Sequence, residues 1–175
     1  MFKKKFSQKK HGGFSGRQCA RSPLFQSGIF LIFIICLAGC QIFPKLPPVD
    51  LSEPGWIARE GQVVWRANRT APEIAGEILV ATNSDLRNFV QFTKTPLPFL
   101  TAQSTANAWQ LHSIPNDKTY SGRGHPPVRA LWLWLPGSLA GATPPKPLSW
   151  QRGNDRHWRL ENLETGEFLE GYLAP

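Results

Sequence analysis

The feature that most constrains this chain is an apolar run that is too short to cross a membrane and stops at a cysteine. Residues 28–39, GIFLIFIICLAG, are all apolar or glycine. Twelve helical residues rise only about 18 Å, well short of a hydrocarbon core of roughly 30 Å. Residues 1–39 carry seven basic side chains and no acidic one. A basic stretch, a short apolar run and small residues form the physical pattern of an export signal. The alternative is an uncleaved anchor, because Ile42 and Phe43 continue the apolar run past Gln41.

A cut before Cys40 changes what the composition means. The whole chain has a formal charge of +8, which alone points towards nucleic acid or anionic lipid. Of its 20 basic residues, seven leave with the signal, so 13 remain against all 12 acidic ones. Residues 40–175 are therefore near neutral, which argues against nucleic acid as a partner. Cys19 and Cys36 also leave, so Cys40 is the one cysteine of the mature chain. No intramolecular disulfide is expected, and stability must come from packing.

The small pair Ala38-Gly39 lets an extended backbone enter a narrow peptidase cleft, and a thiolate at Cys40 can take a lipid. Leu37-Ala38-Gly39-Cys40 resembles the lipobox of bacterial lipoproteins. The resemblance implies removal of 1–39 as a signal peptide, diacylation of Cys40 and acylation of the new amine. Two or three acyl chains attach stably where a single one binds marginally. The bland alternative is an inert cysteine in an apolar helix. Gln41 in place of aspartate implies, by the same resemblance, the outer membrane, with the protein facing the periplasm. The inner membrane and the cell surface are the alternatives.

Residues 41–55, QIFPKLPPVDLSEPG, hold four prolines, which fix φ and remove amide donors. Residues 40–55 are expected to form a lipidated tether; a docking motif is the other reading. From Trp56 the texture changes to short alternating apolar runs punctuated by glycine, proline and asparagine, the pattern of antiparallel strands. Strands are expected at 62–67, 75–82, 88–94, 99–104, 108–114, 148–152, 157–162 and 168–173, the last two joined by LETG. PNDK (115–118) reads as a turn, and SGRGH (121–125) as a turn before a helix or a flexible anion-holding loop. In PPVRALWLWLPGSLAG (126–141), prolines suited to a first turn and apolar residues at helical spacing predict a helix over 127–135, broken by Pro136. A sixth strand carrying Trp132 and Trp134 is the alternative. Residues 56–175 are long enough for one domain with its own core.

All seven tryptophans lie after Cys40, and each brings a large apolar body with one N–H that needs a partner when buried. They fill a core, line an apolar concavity or stack on carbohydrate. Signs of catalysis are few. His112, His125 and His157 lack HExxH spacing, and no GxSxG elbow or zinc signature is present. No cofactor or metal is expected. Glu161, Glu164, Glu167 and Glu170 offer glycosidase chemistry only if two of them face each other across a cleft, roughly 5 to 10 Å apart.

FVQFTKTPLPFLTAQSTANAWQL (89–111), PPVRALWLWLPGSLAG (126–141) and RHWRLEN (156–162) resemble the LolB branch of the LolA/LolB-like bacterial lipoproteins. The resemblance implies a mainly β (α+β) fold. It consists of a single curved antiparallel sheet, a half-barrel, with one or two short helices on its concave face as a lid. It also implies an apolar cavity that accepts acyl chains or a lipidated protein from a periplasmic carrier, with no enzymatic step. TPLPFL (95–100) is the candidate for the exposed apolar loop such receptors use. The residues expected to line the cavity are Trp65, Leu79, Phe89, Phe92, Trp109, Leu131, Trp132 and Leu135. The rival readings are an envelope assembly lipoprotein with a filled core and an enzyme acting on cell-wall glycans.

Overall fold

The computed structural model describes residues 45–153 and 156–175. The expected signal peptide, Cys40 and the first part of the expected tether lie outside the described residues. The described chain folds into nine strands and one helix: β1 (Trp56–Arg66), β2 (Glu73–Asn83), β3 (Asn88–Lys94), β4 (Leu97–Ser104), β5 (Ala108–Ser113), β6 (Lys118–Arg123), α1 (Leu131–Leu139), β7 (Leu148–Arg152), β8 (His157–Asn162) and β9 (Phe168–Leu173). The strands form one antiparallel sheet in the order β6-β5-β4-β3-β2-β1-β9-β8-β7. The expected fold class, a mainly β single antiparallel sheet with a short helix, is what the chain adopts.

The chain meanders outward from β1 to β6, crosses by way of α1 to β7, and returns through β8 to lay β9 beside β1. The sheet is not closed, and its free edges, β6 and β7, are joined in sequence by the segment that carries α1. Alternation gives the sheet two unlike faces. On the first, Val63 and Trp65 of β1 stand opposite Gly76 and Ile74 of β2, and Ile78 and Val80 opposite Phe92 and Val90 of β3. This face is covered by α1, which packs on β2, β3, β4 and β8. The other face is open over β2, β1, β9 and β8.

Two devices shape the covered side. A Cβ on Gly61 would lie 2.0 Å from the Tyr172 carbonyl oxygen, and one on Gly171 would lie 2.1 Å from that of Gln62. Only glycine lets β1 and β9 approach so closely, and glycine within a strand marks such an approach or a sharp bend. Between β3 and β4 the register shifts: Phe92 faces Leu100 and Thr93 faces Pro98, which leaves Phe99 as the extra residue of a bulge. A bulge re-aims a side chain, and the Phe99 ring packs 5.9 Å from Trp65 and 5.9 Å from Phe92.

The structure differs from the sequence expectation mainly in four places. Strand β1 begins at Trp56, well before the expected 62. The expected turn at PNDK is present over 114–117, but it leads into strand β6, Lys118–Arg123, where SGRGH reads as turn or loop; a polar edge strand has no buried face to impose alternation. The helix runs over Leu131–Leu139 and not 127–135. Pro127 closes a turn by accepting from the Ala130 N–H at 3.0 Å. Pro136 sits inside the helix, where its nitrogen has no hydrogen to donate to the carbonyl four residues earlier. Residues 46–53 also lie against the sheet. The Leu46 N–H donates to Gln110 Oε1 at 2.9 Å, Gln103 Nε2 donates to the Leu46 oxygen at 3.5 Å, and Glu53 pairs with Arg87 at 2.8 Å. This part of the expected tether is packed on the open-side surface of β3, β4 and β5.

Candidate functional site

The covered face is an aromatic cluster closed by α1. Trp132 of the helix stacks on Phe92 at 5.2 Å between centroids and meets Trp65 edge-on at 5.7 Å. Leu131 and Leu135 are fully buried beside it. Five of the expected cavity residues, Trp65, Phe92, Leu131, Trp132 and Leu135, thus belong to one cluster. Trp109 lies further out on the same face, half-buried, with its ring over Gly122 of β6. Leu79 and Phe89 do not join them. Leu79 pairs with Glu60 and Gln91, and Phe89 with Ala81 and Gln103, all on the opposite face. Leu79 sits in a continuous apolar run, ILVA, where alternation does not tell which side points in, while Phe89 shares its face with the polar Gln91. Their neighbours Ile78, Val80 and Val90 hold the buried places.

Phe99, Trp158 and Leu160 also serve this cluster and were not among the expected residues. Trp158 stacks on Trp150 at 6.1 Å. The WxL alternation in RHWRLEN is the signal for Trp158 and Leu160, whereas Phe99 reaches the cluster only because of the bulge.

Two properties of this face bear on chemistry. Among the described residues, no side-chain hydrogen bond or ion pair ties α1 to a strand. The indole Nε1 atoms of Trp132 and Trp158 are buried without a protein partner. Among the described residues, apolar contact is what holds the helix on the strands. At one end of the cluster, the β3–β4 hairpin presents Leu97 with 70% of its surface exposed, two residues before Phe99. This is within the TPLPFL segment singled out from the sequence.

Glu167 stands at the same end. Trp65 Nε1 donates to Glu167 Oε1 at 3.1 Å. Burial pushes the Glu167 carboxyl up to about 7, with the Trp65 bond acting in the other direction.

The open face carries a groove of about 750 Å³ over β2, β1, β9 and β8. Its side chains are largely spent on one another. Arg159 pairs with both Glu161 and Glu170, His157 Nε2 lies 3.3 Å from Glu170, and Arg66 lies 3.7 Å from Glu73. The guanidiniums of Arg66 and Arg159 stack on the Phe168 ring at 4.5 and 4.1 Å. Two carboxylates of the final hairpin therefore share one guanidinium, Glu167 bonds Trp65, and Glu164 is exposed in the turn. Among the described residues, no group of three His, Cys, Asp or Glu side chains is placed to hold a metal ion. No helix among them is long and apolar enough to cross a membrane. No protein-family model matches this chain, and a search of the curated proteins returns no match.

Proposed function

We propose that the protein is a lipoprotein anchored by acyl chains on Cys40, facing the periplasm at the outer membrane. It binds acyl chains, or the acylated end of another lipoprotein, between the curved sheet and α1 without an enzymatic step. The observation that carries this reading is an aromatic sheet face closed by a helix held only by apolar contact, with exposed Leu97 beside it. Lifting α1 exposes Phe92, Trp65 and Trp132, and an acyl chain offers those rings the same kind of surface that the helix does. Each buried methylene contributes about 0.8 kcal/mol, so a long chain can offset the loss of the Leu131 and Leu135 contacts.

Purified acylated protein titrated with a naturally fluorescent polyunsaturated fatty acid tests this through energy transfer from the cluster tryptophans. Saturable transfer is expected. Leu97→Glu is expected to slow uptake at least several-fold while leaving the melting temperature unchanged. Absence of saturable transfer by a folded protein rules the reading out. It would favour an assembly lipoprotein with a filled core, the reading that the zero exposure of Phe92, Leu131 and Leu135 supports.

A further inference from the structure

Near-neutrality conceals where the charge lies. Between Asp117 and Asp155 the chain has no acidic residue, while Lys118, Arg123, Arg129, Lys146 and Arg152 are basic. This stretch builds β6, the α1 segment and β7, the two free edges of the sheet and the strap that joins them. All five side chains are exposed. Among the described residues, none of them takes part in an ion pair. Arg66 of β1 and Arg159 of β8 differ, standing beside Glu73, Glu161 and Glu170.

The length of chain before the sheet indicates what covers this side. Leu46 is fixed on the open-side surface of β4 and β5 by Gln103 and Gln110. Gln110 is opposite Ser121 of β6, and Arg123 lies two residues further along the same face, opposite Ala108. Cys40 is six residues before Leu46, a span of at most about 21 Å when fully extended. Acyl chains on Cys40 would hold β5 and β6 within that distance of the headgroups, two to three Debye lengths (about 8 Å each) at physiological salt. Tyr120 of β6 is 54% exposed, and its ring suits the boundary between headgroup and acyl chain.

We propose that this acid-free stretch docks on an anionic lipid surface, with Lys118, Arg123, Arg129, Lys146 and Arg152 facing the headgroup phosphates. The proposal rests on the acylation of Cys40 stated above. Docked in this way, the strap carrying α1 lies against the bilayer.

The test uses the full acylated protein in vesicles of phosphatidylcholine alone or mixed with phosphatidylglycerol, read by amide hydrogen exchange. Exchange over residues 118–129 and 146–152 is expected to slow about fivefold or more on the anionic vesicles, the factor that one basic residue contributes near such a surface. The slowing is expected to vanish in about 0.5 M salt and in the Arg123→Glu/Arg129→Glu double variant. Equal exchange on the two vesicle types, with acyl groups found on Cys40 by intact mass, overturns the docking and leaves the acylation standing. A mass without acyl groups overturns both. Slowing by an acidic soluble protein but not by the anionic vesicles also overturns the proposal.

Discussion

Glu167 shows how one carboxyl can link pH to the stability of the aromatic cluster. Folding raises its pKa to about 7, above the ordinary carboxylate value, so the folded state favours the protonated form. Its stabilising share is complete below about pH 4, near the unfolded value, and is lost as pH rises through 7. For a half-buried group the loss amounts to about 1 to 3 kcal/mol. Glu167→Gln keeps an oxygen for the Trp65 N–H and removes the charge. In urea unfolding the variant is expected to be more stable than the parent at pH 8 and to lose that advantage at pH 4.5. An advantage that does not change with pH would show that the carboxyl does not titrate in this range.

At the scale of the element, the seam between β1 and β9 depends on two missing side chains. Gly171→Ala places a methyl 2.1 Å from the Gln62 oxygen, and the cost is expected to be about 3 kcal/mol or more. Gly137→Ala in α1 meets only the Ala142 methyl at 3.8 Å and is expected to stabilise by about 0.5 to 1 kcal/mol. Thermal melts of the two variants should move in opposite directions. Most strands can be read from the sequence because their ends carry turn residues and their interiors alternate. The spans 88–94, 148–152, 157–162 and 168–173 coincide with β3, β7, β8 and β9. Strand β6 is hidden because KTYSGR faces solvent along an edge. The bulge at Phe99 is hidden because register belongs to two strands and not to one. Trp132 and Leu135 stand out as cluster residues through their helical spacing, whereas Leu79 lies in the run ILVA with no polar neighbour to fix a direction; Phe89 shares its face with the polar Gln91, a signal that Val90 and Phe92 take the buried side.

For the whole molecule, the proposed acyl anchor can be tested apart from the fold. Cys40→Ala is expected to abolish metabolic labelling with palmitate and to release the protein from the membrane fraction; unchanged labelling and fractionation would refute the acyl anchor. The placement of β1 has a further consequence for how the molecule is made. Strand β1 lies between β2 and β9, and Trp65 pairs with Leu169 more than a hundred residues away. Strands β1 to β6 can zip up hairpin by hairpin as the chain emerges, but one side of β1 has no partner until β9 arrives. During that interval Val63 and Trp65 border an unpaired edge, the kind of surface that recruits strands from other chains. The period of greatest danger for this protein therefore falls before β9 is delivered, and a truncation that removes β9 makes that danger permanent.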